Sequence, residues 1–125
     1  MTRKEPLTPH EEALLPMVKE LTGRTKFNFE FQIGEDLWSE GLLDNMEKHR
    51  SFSDFSWECF ARHCLCDWGD GPQEDKDAND EAFKTGGQLF STYTHSVYPT
   101  VCVLTEADRS ETTIGLLEEF HDVET

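Results

Sequence analysis

The sequence has no long apolar run, no secretory signal and few basic residues. No stretch of 18 or more apolar residues occurs, so a membrane-spanning helix is not expected. The first twelve residues lack the apolar centre of a secretory signal, and we therefore expect a cytoplasmic protein. Lysine and arginine number 11 against 26 acidic residues, which gives a net charge of −15. That charge keeps a small protein soluble, disfavours direct binding to nucleic acid, and favours a protein partner with a basic surface.

Recognisable catalytic motifs are also missing from the sequence. There is no Gly-x-Ser-x-Gly nucleophile motif, no glycine-rich phosphate loop with lysine, and no dinucleotide fingerprint. Gly86-Gly87 follows a predicted helix rather than opening one, and this order is typical of a helix end and a turn. We therefore predict a non-enzymatic protein without a cofactor.

Cysteine is scarce, and its spacing fits a metal site poorly. Cys59, His63, Cys64 and Cys66 lie within eight residues and are suitable zinc ligands by type. The one-residue spacer in Cys64-x-Cys66 is not the usual spacing, and only Cys102 follows downstream. Packed free thiols in a reducing compartment are the favoured interpretation, and zinc is the alternative.

The length of 125 residues fits one domain with a single core. Thr8, Pro9 and Glu11 predict the start of a helix with a capping box, preceded by a loose tail over residues 1–7. Pro16 should kink that helix or delay its start. Apolar spacing and turn residues predict four helices, over 8–22, over 39–48, from Ser51 or Ser53 to about 64, and over 73–85.

Four strands are predicted alongside these helices. Residues 27–33 alternate apolar and polar side chains, which predicts a strand with one buried face that Gly34 ends. Residues 89–94, 100–105 and 112–117 predict three strands joined by short hairpin connections. The order of the elements predicts an α+β fold, an antiparallel sheet of about four strands covered by three to four helices.

The helix predicted over 73–85 is strongly acidic. Its apolar stripe is thin and consists of Ala78, Ala82 and Phe83. A solvated outer face is the ordinary interpretation, and a protein-binding surface that imitates a phosphate track is the alternative. The candidate partner-binding residues are Glu74, Asp75, Asp77, Asp80 and Glu81, and Glu118, Glu119, Asp122 and Glu124 extend the acidic track.

Four segments between residues 29 and 120 stand out as possible motifs. They are His63 with Asp67-Trp68-Gly69-Asp70, Asp75 and Asn79 before Gly86-Gly87, Ser91-x-Tyr93, and Thr105-Glu106-Ala107-Asp108-Arg109-Ser110 with Thr112-Thr113. Together they resemble a family of small proteins carried on plasmids and other mobile elements. Family members usually have glycine where this chain has Cys66, and Leu-Pro-Glu-Glu-Tyr where it has residues 117–120. The resemblance implies a bacterial, cytoplasmic setting and no particular chemistry.

The loop that contains His63, Asp67 and Asp70 has two interpretations. A histidine beside two carboxylates suits general acid–base chemistry or a divalent cation. Alternatively, His63 closes its helix, the two aspartates shape the loop through bonds to the backbone, and Trp68 anchors the loop on the core. The second interpretation is the favoured one.

The turn over residues 105–110 adds Glu106, Asp108 and Arg109. Arg109 is expected to pair with Asp108, Asp67 or Asp70 and to hold two loops together. The alternative is that Arg109 binds a phosphate or carboxylate of a ligand.

Together these features predict a small acidic protein of a mobile element that binds a protein partner. The more specific hypothesis is an anti-CRISPR or anti-restriction inhibitor that acts by nucleic-acid mimicry. The alternative is a metal- or ligand-binding, enzyme-like domain that uses the loops of His63, Asp67, Asp70, Asp108 and Arg109. That alternative requires the five side chains to converge on one cleft.

Overall fold

The computed structural model describes the backbone of residues 3–124 and the side chains of residues 3–120. The α+β class is confirmed, with four α-helices and a four-stranded sheet in that part of the chain. None of its helices is long and apolar enough to cross a membrane. The elements are α1 Pro9–Thr22, β1 Glu35–Trp38, α2 Glu40–Lys48, α3 Arg50–Cys64, α4 Gln73–Thr85, β2 Leu89–Tyr93, β3 Val101–Thr105, β4 Glu111–Leu116 and a 3₁₀ segment over Leu117–Glu124.

The sheet is mostly antiparallel, with the strand order β1-β4-β3-β2. Strands β2, β3 and β4 form the predicted antiparallel meander. Strand β1 pairs with β4 in parallel, so the sheet is mixed rather than wholly antiparallel. A parallel pair needs a long crossover connection, and here the chain between β1 and β4 contains three helices and the other two strands.

The strand predicted over residues 27–33 is wrong, although its alternation is correct. Phe27, Phe29, Phe31 and Ile33 are all buried, but the segment joins no ladder of the sheet. Its backbone bonds instead to other parts of the fold: the N–H of Glu30 donates to the carbonyl of Cys64 over 3.0 Å. Alternating burial therefore occurs here without strand pairing, in a segment that bends at residues 30 and 31 and packs its apolar side chains into the core.

Gly34 separates that segment from β1. Its φ is 66°, and an ideal Cβ at this position would overlap the carbonyl group of Ser110. The close approach lets the N–H of Glu35 donate to the Ser110 carbonyl over 3.0 Å, beside the first pair of the β1–β4 ladder. Gly34, which was predicted to end a strand, thus stands immediately before the start of β1.

Helix α1 begins as predicted, with both bonds of the capping box between Thr8 and Glu11. The helix continues through Pro16, so the expected delay of its start is wrong. Helix α2 has the predicted cap, since Ser39 accepts a hydrogen bond from the N–H of Leu42.

The start of α3 differs from the prediction. The helix begins at Arg50, and His49 precedes it without a side-chain capping bond, so neither predicted serine cap is used. Helix α4 has the predicted limits, and Gly86 ends it in the left-handed region with φ 91°. Within α4 the predicted apolar stripe is corrected: Ala78 is exposed, and Asn79 is the buried residue.

Glu11 is a fully buried carboxylate that ties three segments together. It accepts hydrogen bonds from the N–H of Thr8 at 2.8 Å and of Ile33 at 3.1 Å, and it pairs with Arg3 at 2.8 Å. Burial alone would raise the pKa of Glu11, but these donors outweigh burial and hold the pKa below its ordinary value. The predicted loose tail is therefore wrong at Arg3, while residues 1 and 2 lie outside the described residues.

The main core lies between the helices and one face of the sheet. Helix α3 packs on β3, α2 on β4, and α4 on β2. A second, smaller cluster on the opposite face joins Cys102 and Leu104 to Phe120 of the 3₁₀ segment. The main cluster includes Val18, Phe29, Ile33, Leu42, Phe52, Phe60, Trp68, Leu89, Tyr93, Val103 and Ile114.

Candidate functional site

His63 occupies the last turn of α3 and faces the sheet. Its side chain has no exposed surface. Nδ1 lies 2.6 Å from Oγ of Ser91 on β2, and Nε2 lies 2.9 Å from Oγ1 of Thr105 on β3. Both ring nitrogens therefore have partners inside the fold, and neither faces a cleft.

The bonds of His63 continue in both directions through buried hydroxyl groups. Ser91 Oγ contacts the hydroxyl of Tyr93 at 2.8 Å, and Tyr93 donates to the carbonyl of Asp67 at 2.8 Å. On the other side, Thr105 Oγ1 contacts Thr112 Oγ1 at 2.8 Å, and Thr112 donates to the carbonyl of Ile33 at 2.8 Å. We call this series of contacts the His63 chain.

The His63 chain is one proton short when the imidazole is neutral. It has six contacts and ends on a carbonyl at each side, and carbonyls only accept. The four hydroxyls and a neutral imidazole supply five protons. Because Thr112 donates to the carbonyl of Ile33, Thr105 must donate to Thr112, and Nε2–H of His63 must donate to Thr105. Ser91 then donates to Nδ1, and no proton remains for the contact between Ser91 and Tyr93.

A protonated imidazole would supply the missing proton, but the surroundings oppose its charge. Burial lowers the pKa of His63 to about 3, with a smaller contribution from the positive charge of Arg109. His63 is therefore neutral near pH 7 and serves as the centre of a buried structural network.

The alternative interpretation, which groups His63 with two carboxylates, does not match their contacts. The carboxylate of Asp67 accepts from Nε of Arg62 at 2.8 Å and from Nη2 at 3.2 Å, and the bond from Arg62 holds the pKa of Asp67 below its ordinary value. Asp67 also accepts from the N–H of Gly69 at 3.2 Å and Asp70 from the N–H of Thr94 at 2.9 Å, so both aspartates shape the loop, as the favoured interpretation states. The other part of that interpretation is wrong, because the ring of His63 contacts Ser91 and Thr105 and does not close its helix.

The loop begins with a left-handed residue where the resembled family has glycine. Cys66 has φ 64°. Its N–H donates to the carbonyl of His63 at 3.0 Å, and the N–H of Asp67 donates to the carbonyl of Arg62 at 2.8 Å. These two bonds form a Schellman motif, which glycine normally completes. The position therefore has the backbone role of a glycine, although a cysteine fills it.

Trp68 and Gly69 fix the rest of the loop. Trp68 is buried as predicted, and its Nε1–H donates to Asp80 of α4 at 2.8 Å. Gly69 has φ 81°, and an ideal Cβ there would overlap the carbonyl of Thr92. This close approach lets the N–H of Asp70 donate to that carbonyl at 2.8 Å, so the loop covers part of the free edge of β2.

Arg109 makes none of the predicted carboxylate pairs. Its Nη1 donates to the carbonyls of Gly87 at 2.7 Å and of Glu106 at 3.1 Å, which holds the β3–β4 turn against the end of α4. Asp108 instead accepts from the N–H of Ser110 at 2.9 Å. Burial lowers the pKa of Arg109, whose guanidinium group lies 5.7 Å from the ring centre of Phe31.

The cysteines do not assemble a metal site in the described part of the chain. Cys59 and Cys64 are fully buried free thiols, and burial raises the pKa of each. Burial also raises the pKa of Cys66 to about 12. Among the described residues, no three His, Cys, Asp or Glu side chains are grouped closely enough to hold a metal ion.

The outer face of α4 carries exposed carboxylates. No ion pair within residues 3–120 includes them, although Asp80 accepts from Trp68 and Asp77 from Gln73 at 3.0 Å. We call this surface the α4 acidic face. Its residues, all exposed, are Glu74, Asp75, Asp77, Asp80 and Glu81.

The inner face of α4 is attached to the edge of the sheet by Asn79. Its side-chain amide donates to the carbonyl of Phe90 at 2.8 Å and accepts from the N–H of Phe90 at 3.0 Å. Asn79 thus satisfies both backbone groups of one residue on edge strand β2. Together with the bonds of Trp68 and Arg109, this contact fixes α4 on the domain.

The predicted extension of the acidic track is corrected at Glu119. Its carboxylate accepts from Ser39 Oγ at 2.5 Å and from the N–H of Leu116 at 2.8 Å, so it serves the start of α2. Glu118 is exposed. The side chains of Asp122 and Glu124 lie outside the described residues.

Sequence reasoning named three further residues but missed their roles in the interior. Thr105 and Thr112 are the partners that connect His63 to β4, and the short hairpin between them places them in register opposite each other. That register is a usable signal for a buried threonine pair. Nothing in the sequence indicates separately that Glu11 is buried, because its capping role already accounts for a glutamate at this position.

Comparison with known proteins returns no matching family model, no curated relative and no similar solved structure.

Proposed function

We propose that this protein binds a protein partner with a basic surface through the α4 acidic face. The observation that carries the proposal is the exposure of five carboxylates on one helix that take part in no ion pair within residues 3–120. In contrast, the acidic side chains of Glu11, Glu58 and Asp67 are used inside the domain. Carboxylates without internal partners attract a basic surface and accelerate association with it.

The attachment of α4 supports this proposal. A helix that is fixed on the domain presents its charges without a large loss of conformational freedom on binding. Asn79 holds the middle of α4 on β2, Trp68 donates to Asp80, and Arg109 binds the carbonyls at the end of the helix. The charges therefore have a fixed arrangement, as mimicry of a phosphate track requires.

The proposed target is the basic groove of a nucleic-acid-processing protein, including a restriction or CRISPR complex. A net charge of −15 makes such a groove the favourable contact, and it disfavours nucleic acid itself as the ligand. The enzyme-like alternative lacks comparable support, because His63 is enclosed, Asp67 pairs with Arg62, and Arg109 binds backbone carbonyls.

The experiment compares capture of partners by the wild-type protein and by two variants of equal charge. Tagged proteins are incubated with bacterial lysate at low and moderate salt, and captured proteins are identified and then tested for nuclease inhibition. Asp80 is kept in the first variant because it accepts from Trp68. The first variant carries Glu74→Gln, Asp75→Asn, Asp77→Asn and Glu81→Gln, and the matched control carries Glu12→Gln, Glu20→Gln, Glu47→Gln and Asp54→Asn, all at exposed positions.

We expect the α4 variant to bind the partner about tenfold more weakly or worse, and the control to bind nearly as well as wild type. Binding by wild type should fall steeply as salt increases. The α4 variant should remain folded, because Asp77 and Glu81 are like charges four residues apart and their neutralisation relieves repulsion. An equal loss of binding in both variants would show that binding depends on net charge and not on α4. Undiminished binding by the α4 variant would refute the proposal.

A further inference from the structure

A cleft with a volume of about 660 Å³ lies at the end of α4. Three parts of the fold line it: the N-terminal segment at residues 3–5, the segment at residues 30–32, and the end of α4 at residues 83–86. Arg109 from the β3–β4 turn completes the lining. The volume is in the range of clefts that take small organic ligands.

The lining is unusual for this protein because it concentrates positive charge. Arg3, Lys4, Lys84 and Arg109 contribute four of the 11 basic side chains of the molecule to one cleft. Of these four, only Arg3 takes part in an ion pair within residues 3–120. Glu5 and Glu30 also line the cleft, so the cations outnumber the carboxylates.

Arg109 differs from two other arginines in how its guanidinium group is used. Arg24 and Arg62 each donate from the Nε/Nη2 edge to both oxygens of one carboxylate, Glu58 and Asp67 respectively. In Arg109 the two short contacts, at 2.7 and 3.1 Å, are both made by Nη1. Among the described residues Nε of Arg109 has no hydrogen-bond partner, and Nη2 has only the carbonyl of Ala82 at 3.4 Å.

The Nε/Nη2 edge is the edge that binds a carboxylate or phosphate with two parallel bonds. In Arg109 this edge belongs to a partly buried side chain that lines the cleft. An anion in the cleft would supply the acceptors that this edge of Arg109 lacks.

Two aromatic rings give the cleft an apolar wall. Phe31 and Phe83 both line it, with ring centres 6.1 Å apart in an edge-to-face arrangement. Apolar walls with a few placed donors are typical of sites for small organic molecules rather than for bare inorganic ions.

We propose that this cleft binds a small organic anion, a carboxylate or a phosphate on an apolar or aromatic body. The Nε/Nη2 edge of Arg109 holds the anionic group, Lys84 and Lys4 add positive charge, and Phe31 and Phe83 pack against the body. This proposal does not depend on whether the α4 acidic face binds a partner.

The experiment is a titration of the full-length ¹⁵N-labelled protein, followed by chemical shifts, with benzoate, phenyl phosphate and neutral benzamide. We expect benzoate, phenyl phosphate or both to give saturable shifts at residues 3–5, 30–32, 83–86 and 109, and benzamide to bind at least about tenfold more weakly. Binding of phenyl phosphate alone assigns the site to organic phosphates, and binding of both assigns it to organic anions generally. Equal binding of benzamide, or no saturable shift in the cleft, would overturn the proposal.

Two comparisons test which residues bind the anion: Arg109→Lys against wild type, and Lys84→Gln against Lys26→Gln. Arg109→Lys keeps the charge but removes the two-bond edge, and we expect about tenfold weaker binding. Lys84→Gln should weaken binding by about two- to fivefold, whereas Lys26→Gln, which makes the same change in charge at an exposed position outside this cleft, should leave it unchanged. Unaltered affinity in Arg109→Lys, or equal losses in the two lysine variants, contradicts the proposal. The lysine comparison decides if Arg109→Lys does not fold.

Discussion

The His63 chain and the α4 acidic face differ in where their polar groups lie and in whether other protein groups bind them. In the first region, an imidazole and four hydroxyls lie in the interior and contact each other or a backbone carbonyl. In the second region, carboxylates stand on the surface, and no ion pair within residues 3–120 uses them. The two regions are joined by Trp68, which packs on His63 and donates to Asp80.

The difference separates residues that build the domain from residues that are available to a partner. Most of the sequence segments singled out as motifs meet in or beside the His63 chain, including Asp67-Trp68-Gly69, Ser91-x-Tyr93 and Thr105. Their contacts account for them as parts of the architecture. Helix α4 supplies the exposed charge, and of the residues in these segments only Asp75 belongs to the α4 acidic face.

The largest effect on stability is expected from His63→Leu. The substitution keeps a buried apolar volume but leaves the hydroxyls of Ser91 and Thr105 without their ring partner. The two hydroxyls keep their contacts with Tyr93 and Thr112, so the loss is that of two buried hydrogen bonds and of the ring contacts with Phe31 and Trp68. These losses should lower the free energy of unfolding at pH 7 by about 3 kcal/mol, measured by urea denaturation. A change below about 1 kcal/mol would mean that the His63 chain contributes little to the fold.

The same variant has a signature in its pH dependence. The pKa of His63 is lowered to about 3 from an ordinary value of 6.5, so between these values the unfolded chain binds more protons than the native protein. Wild-type stability should therefore fall as pH decreases from 6.5, by up to about 1.4 kcal/mol per pH unit, and His63→Leu should lack this slope. Glu11 and Asp67 contribute below their ordinary pKa values of 4.5 and 3.8, so the difference in slope between wild type and His63→Leu from pH 4.5 to 6.5 is free of their contributions. An unchanged slope in the variant would assign the effect to another group.

An intermediate effect is expected from Asn79→Ala, which breaks the attachment of α4 to strand β2. The substitution removes both bonds to the backbone of Phe90 and should lower the free energy of unfolding by about 2 kcal/mol. It leaves every carboxylate of the α4 acidic face in place, yet partner binding should weaken because α4 is no longer held on β2. Gln73→Ala, at an exposed position of the same helix, is the control and should change stability by less than about 0.5 kcal/mol.

The helices and the strand meander were predictable because local signals determine them. The capping box of α1, the serine cap of α2 and the glycine end of α4 each depend on residues within one turn. Residues 27–33 show where such signals fail. Alternation reports burial on one side, whereas strand formation also needs a neighbour at hydrogen-bonding distance, which the packing of the whole chain decides.

The site was less predictable than the fold. The exposure of the α4 acidic face followed from composition, but the contacts of Asp67 and Arg109 did not. Asp67 pairs with Arg62, five residues earlier, and Arg109 binds carbonyls of Ala82 and Gly87 that were brought near by the fold. Residue type indicates which bonds a side chain is able to make, and only the tertiary arrangement selects among them.

The smallest effect, and one of opposite sign, is expected from Cys66→Gly. Cys66 completes the Schellman motif of α3 with φ 64°, a conformation that costs a residue with a Cβ about 1 kcal/mol relative to glycine. The thiol also packs partly on the core, so its removal is a separate loss. Cys66→Ala measures that loss alone, and Cys66→Gly should be more stable than Cys66→Ala by about 1 kcal/mol in urea denaturation. Both variants should bind the partner as wild type does, because Cys66 belongs to the architecture of the domain and not to the α4 acidic face. Weakened binding in both, with stability retained, would instead place the loop in the contact surface.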